Sequence, residues 1–217
     1  MKGLITDDLL LDSSTTGSIF CADLTKRVDR FIEEIFEVAG SPSEVAVCAL
    51  GGYGRKELCP GSDIDVLLIH DAAFDVLPVA EKIWYPLWDA GLKLGHQVGT
   101  QEEILNLAES SLETATSLLS SRFVAGDDEI VSALAEKAQE QWVERFQKYL
   151  KELGSTVEDR YTQYGEVAFL LEPELKQGRG GLRDAHILQW IEIAEPILLT
   201  SESVSYTHLT LPTNREV

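Results

Sequence analysis

Two aspartates spaced Asp63-x-Asp65 and entered from a glycine-rich turn are the residues in this sequence best suited to chemistry. They stand in residues 51–70, GGYGRKELCPGSDIDVLLIH, and lead straight into the apolar run 66–69. On a strand, residues i and i+2 face the same side, so both carboxylates emerge together, roughly 7 Å apart at ~3.3 Å rise per residue. Paired carboxylate oxygens suit a hard divalent cation, which takes bound phosphate as a further ligand. Upstream, Gly51, Gly52 and Gly54 leave backbone amides unobstructed for a polyphosphate. Either half alone is a weak signal, because an Asp-x-Asp at a strand end is often a solvated loop entry. Together, they are what metal-dependent nucleotidyl transfer needs.

Positioning these groups requires a strand on each side of the turn. Residues 45–50, VAVCAL, read as a buried strand that the glycines end, and the acids open the next one. A helix is expected over 22–39, with Leu24, Val28, Phe31, Ile32, Ile35 and Val38 as its apolar stripe, stopped at 40–42. A second helix is expected over 78–90, with Val79, Ile83, Trp84, Leu87 and Trp88 inward and Pro86 kinking or dividing it. Residues 91–100 alternate and read as a third strand. Beyond them, helices are expected over 102–107, 112–123, 129–153 and 156–171, with a turn at 125–128 and a break at Gly154-Ser155. A polar, glycine-rich loop at 176–181 then precedes a helix over 182–194. The fold class is α+β: a small mixed β-sheet domain over 19–110, then an all-helical domain over 111–202.

The order Gly-Gly, Arg55, Glu57-Leu58, Ser62-Asp63-x-Asp65 resembles the nucleotidyltransferase superfamily with the DNA polymerase β-type fold. The longer wording GGYGRKELCPGSDIDVLL resembles, more narrowly, the bacterial PII uridylyltransferase family. A second block, FLLEPELKQGRGGLRDAHILQW at 169–190, is similar to that family's Leu-Glu-Pro and Lys-x-Gly-x-Gly-Gly-Leu-Arg-Asp signature. The resemblance covers roughly residues 25 to 200. It implies transfer of UMP, or AMP, from UTP or ATP to a tyrosine of a PII signalling protein, with pyrophosphate released. It also implies a two-metal Mg²⁺ site, with Asp63 and Asp65 as ligands and a third carboxylate activating the acceptor hydroxyl.

The third acid is the weak point of the match. The third strand offers His96 and Gln97 but no carboxylate, and the arginine the family usually has near Gly99 is absent. The resemblance implies an acid at Glu113, which is the candidate third carboxylate or else a plain solvent-facing helix residue, while near position 120, where the family often has another acid, the residue is serine. Gly51, Gly52 and Ser62 are the expected phosphate contacts, and Arg55 either neutralises the triphosphate or pairs with Glu57 or Asp63. Lys176, Arg179 and Arg183, around Gly178, Gly180 and Gly181, form either a wall of the nucleotide or acceptor site or a structural loop in which Arg183 pairs with Asp184 or Glu172. His96 is read as packing or a weak substrate contact, and Trp84, Trp88, Trp142 and Trp190 as core.

Composition narrows the choice. The formal net charge of −19 repels a nucleic-acid backbone, so DNA and RNA are not expected partners. No apolar run reaches a membrane span, the amino terminus carries acids, and three cysteines without metal spacing make no disulfide framework, so a cytoplasmic protein is expected. Residues 1–18 read as a flexible leader. Residues 203–217, Thr-rich and unlike the family, read as a foreign or disordered tail, and the family's hydrolase and ligand-sensing domains are expected to be missing. Two rival readings stand beside the main one: an aminoglycoside-type small-molecule nucleotidyltransferase, and a remnant that binds nucleotide or partner without turnover.

Overall fold

The computed structural model describes residues 16–169, 171–172 and 174–194. The expected tail, and all but the last residues of the expected leader, lie outside the described residues. The chain divides into two compact units that part between Gln141 and Trp142.

In the first unit, α1 (Ser18–Ala39) buries Leu24, Val28, Ile32 and Ile35, as its periodicity predicts, while Val38 at its end is exposed. β1 (Val45–Ala49), β2 (Ile64–His70), β3 (Leu94–Gly99) and β4 (Arg122–Gly126) form one sheet in the order β3-β2-β1-β4. β1 pairs antiparallel with β2 and β4, and β2 pairs parallel with β3, so the sheet is mixed, as expected. Val45, Val47, Ala49, Val66 and Leu68 share one core with α1 and with α3 (Leu77–Asp89). On the other parity Ala46, Cys48, Leu67 and Ile69 are buried as well. Both central strands therefore read as continuous apolar runs rather than alternating ones.

β4 corrects the sequence reading, which placed a helix over 112–123. The helix, α5 (Leu112–Leu118), ends early, and β4 supplies the edge next to β1, with Ala49 opposite Arg122. Local periodicity favoured helix, and strand pairing overrode it. The expected domain boundary between 110 and 111 consequently falls inside the first unit. Pro86 does not divide α3; the missing N–H bond is outweighed by burial of Ile83, Trp84 and Leu87. Trp88, expected inside, is 44% exposed and meets His96 edge-on.

The turn into α4 (Gln101–Ser110) is a capping box: the Glu103 amide donates to Thr100 Oγ1, and the Thr100 amide donates to the Glu103 carboxylate at 2.8 Å. Thr100→Ala is expected to cost about 1 kcal/mol. It should lower the urea midpoint without changing the slope of the transition.

The second unit is helical. The break between α6 (Asp128–Glu144) and α7 (Phe146–Tyr164) falls at Arg145, and Gly154-Ser155 sits inside α7. A helical glycine costs only about 1 kcal/mol, and burial of Phe146, Tyr149 and Leu153 exceeds that. Trp142 stacks on Tyr149 at 4.8 Å and donates its indole N–H to the Trp190 carbonyl of α8 (Leu182–Glu192).

Candidate active site

The glycine turn after β1 is a single helical turn, α2 (Gly51–Gly54), and its first residues have no intrahelical partner for their N–H groups. The Leu50 amide donates to the Asp65 carbonyl at 2.9 Å, which fixes α2 beside the start of β2. Asp65 lies within β2 with the parity of Leu67 and Ile69, opposite the face that packs on α1 and α3. Its carboxylate sits between two glycines. A Cβ on Gly51 would stand 2.8 Å from Asp65 Oδ2, and one on Gly95 would collide with Oδ1. Gly51 also has φ +55°, a left-handed backbone that favours glycine. Gly95 was not singled out in the sequence; the signal was a glycine in a strand, which marks a close approach.

Asp63 precedes β2 and is exposed, on the same parity as Asp65, while Ile64 between them is buried. The two aspartates thus share a face at the open end of β2, with Asp65 half-buried. Ser62 Oγ accepts the Cys59 amide at 3.0 Å, which closes the loop before the acids. Arg55 pairs with Glu57 at 2.8 Å, the structural alternative raised by the sequence. Glu113 lies in the first turn of α5, a helix that packs against α2. Ser120 is also near α2: a Cβ on Gly54 would run into its carbonyl oxygen. Its own hydroxyl donates to the Ser117 carbonyl.

Two carboxylates on one face are donors of the kind that a hard divalent cation takes. Asp63 and Asp65 would supply carboxylate oxygens, and Mg²⁺ is commonly held by one or two carboxylates plus substrate phosphates. Among the described residues, no group of three His, Cys, Asp or Glu side chains is arranged to hold a metal ion. Glu113 is therefore not brought into a three-acid cluster with the pair.

Behind α2 lies a cluster that sequence reasoning missed. Arg122 of β4 donates to both oxygens of Asp29 on α1, at 3.0 and 2.9 Å, and to the carbonyls of Tyr53 and Gly54 at 3.3 Å. The buried Tyr53 hydroxyl donates to Asp29 at 2.6 Å, and the guanidinium lies over the Tyr53 ring. Burial and the Asp29 charge push the Tyr53 phenol well up. Burial alone would lower the Arg122 guanidinium, but its bonds to Asp29 outweigh this and hold it above its usual value. One arginine thus ties β4, α1 and α2 together. No local pattern signals such a role.

In the second unit the hub of the glycine-rich loop is Asp184. It pairs with Arg160, which is 5% exposed, and accepts from the Tyr161 hydroxyl at 2.9 Å and the Gly180 amide at 2.7 Å. Arg160 also donates to the Gln177 carbonyl at 2.8 Å. The loop is so tight at Gly181 that a Cβ would stand 2.6 Å from the Leu175 carbonyl. Arg179 pairs with Glu166 and lies over Tyr161; Arg183 lies over Trp190. The Lys176 amide donates to the Glu174 carboxylate. Partial burial pushes the Asp184 carboxyl up, but the bonds from Arg160, Gly180 and Tyr161 together hold it below the ordinary range. A depressed folded value means its stabilisation is complete above the unfolded value of about 3.9 and is lost as pH falls through the folded one. Asp184→Asn should therefore cost about 2 kcal/mol at neutral pH, and its urea stability should converge with that of the parent chain in acid.

Comparison with known proteins agrees with the blocks read in the sequence. Residues 133–202 match the family model GlnD PII-uridylyltransferase. Proteins named bifunctional uridylyltransferase/uridylyl-removing enzyme are similar over most of the chain. That of Mycobacterium tuberculosis (strain CDC 1551 / Oshkosh) is 41% identical over 169 residues, 77% of this chain and 21% of the relative. That of Streptomyces coelicolor is 37% identical over 83% of this chain and 22% of the relative. That of Novosphingobium aromaticivorans is 33% identical over 81% of this chain and 20% of the relative. A toxin–antitoxin crystal structure with AMP-PNP aligns at 14% identity and a TM-score of 0.38, over 58% of this chain and 97% of that one, too weakly to add to the assignment. Among the described residues no helix is long and apolar enough to cross a membrane. By sequence the chain belongs with the PII uridylyltransferase family, as a stretch spanning about one fifth of its curated relatives' length.

Proposed function

We propose that this chain is a metal-assisted nucleotidyltransferase that transfers UMP, or AMP, from a nucleoside triphosphate to a tyrosine of a PII signalling protein. The observation that carries this reading is the Asp65 carboxylate, set between Gly51 and Gly95 at the open end of β2 with Asp63 on the same face. Asp63 and Asp65 would hold one Mg²⁺, whose charge offsets that of the triphosphate and favours in-line displacement at the α-phosphorus. The amides of Gly51 and Gly52 would face phosphate oxygens, with Ser62 and Arg55 at the rim. In the transfer the tyrosine oxygen bonds to the α-phosphorus, the α–β bridge breaks, and pyrophosphate leaves. Glu113 is the proposed acceptor of the tyrosine proton rather than a metal ligand. Lys176, Arg179 and Arg183 would offer positive charge to a bound anion. Since Arg179 and Arg183 are engaged with Glu166 and Trp190, Lys176 is the strongest of the three. The acidic net charge supports a protein acceptor over a nucleic acid.

The test is incubation with Mg²⁺, α-labelled UTP or ATP, and purified PII protein. Label on a PII tyrosine is the expected result. Label on an aminoglycoside offered instead would replace this reading with the small-molecule one. Saturable nucleotide binding without transfer to either would replace it with the non-catalytic remnant.

A further inference from the structure

Three cysteines occur in the sequence, and they differ in environment. Cys48, in β1, is fully buried, and burial pushes its thiol up to about 12, so it is chemically quiet. Cys21 lies in the first turn of α1, and Cys59 lies on the exposed loop that leads from α2 to Asp63. Although 38 residues apart in sequence, their sulfurs stand 3.8 Å apart.

A disulfide brings sulfurs to about 2.05 Å, so closure asks for a movement of roughly 2 Å. The Cys59 side can supply it. Cys59 begins a small turn in which its amide donates to Ser62 Oγ and its carbonyl accepts the Ser62 amide, both at 3.0 Å, with Gly61 at φ +86°. A hollow of about 10 Å³ lies under this turn, lined by Leu24, Val28, Leu58, Cys59, Ser62 and Ile64 among others. Closure moves this exposed turn towards α1.

We propose that Cys21 and Cys59 are a reversible disulfide pair that straps the loop carrying Asp63 onto α1. With a peroxide as oxidant, the Cys59 thiolate attacks one peroxide oxygen and the O–O bond breaks. This gives a sulfenic acid and hydroxide, which takes a proton to become water. Cys21 then attacks the Cys59 sulfur, the S–O bond breaks, and a second water leaves with the remaining proton. Two thiols are oxidised and one peroxide is reduced to two waters. The exposed Cys59 meets the oxidant first, because Cys21 is the more buried of the two and burial pushes its thiol up. A dithiol reverses the bond by exchange.

The test treats the whole chain with one equivalent of hydrogen peroxide, then counts thiols in denaturant and maps peptides by mass. Free thiols should fall from three to one, with one cross-linked peptide joining Cys21 to Cys59, and dithiothreitol should restore all three. Amide exchange over residues 57–62 should slow by about tenfold in the oxidised form and recover on reduction. In Cys21→Ser, peroxide should leave Cys59 as a sulfenic acid that dimedone traps, with no cross-link. Three surviving thiols, a cross-link that involves Cys48 or a second molecule, or unchanged exchange over the loop would each overturn the proposal.

Discussion

Replacing Asp65 with asparagine is expected to reduce nucleotidyl transfer by a thousandfold or more, while the melting temperature stays within a few degrees of the parent's. Asparagine has nearly the same shape, so it fits the slot between Gly51 and Gly95. What it lacks is the negative charge that a hard cation needs, and a site with two carboxylates has no spare. Removing one preorganised charge contact at a reacting centre commonly costs on the order of a hundred- to a thousandfold. Loss of the metal itself adds to that. Asp63→Asn should follow the same pattern. Its carboxylate is exposed, so the loss is expected to be smaller and partly recovered at high Mg²⁺. Steady-state transfer assays beside thermal melts separate the two outcomes. A variant that melts early and loses activity in proportion would speak for folding rather than metal binding.

Arg122→Ala should destabilise the first unit by roughly 3–5 kcal/mol. The Arg122 side chain is only 21% exposed and that of Asp29 19%, so deleting one leaves the other's charge uncompensated. The carbonyls of Tyr53 and Gly54 lose their donor as well. At about 2–4 °C per kcal/mol for a chain of this size, the melting temperature should fall by about 6–20 °C. Arg122→Lys should recover part of this, since an ammonium keeps the charge but not the two-pronged geometry. In a double-mutant cycle Asp29→Ala with Arg122→Ala should cost clearly less than the two single changes added together. Additivity would mean the pair does not act as a unit.

The sequence made β1, the glycine turn and β2 legible because each carries a local signal: a β-type apolar run, adjacent glycines, and acids before a second apolar run; that the turn is helical was not among them. Arginine at 122 carries no local signal, and glycine at 95 carries only that of a glycine within a strand. Their roles depend on which strand lies beside which, and β4 was hidden because Leu118, Leu119 and Phe123 mimic a helical stripe. The break at Arg145 was misplaced for a related reason: Gly154 looks like a stop, yet the packing of Tyr149 and Leu153 carries the helix through it. In the second block the glycines and Asp184 were visible, but the partner of Asp184 is Arg160, on a preceding helix. Pairing across such distances is tertiary information, and composition or period cannot express it. The third acid follows the same logic. Glu113 is named by its place in the sequence, and the described residues do not gather it into a three-acid group with Asp63 and Asp65.

The most direct test of the central claim is calorimetric titration of nucleoside triphosphate into the chain with and without Mg²⁺, repeated on the Asp63→Asn, Asp65→Asn double variant. It reads the metal–nucleotide site even if no acceptor is modified. Saturable binding that requires Mg²⁺ and disappears in the folded double variant is the predicted result. Binding that is indifferent to Mg²⁺, or that survives loss of both carboxylates, would contradict it.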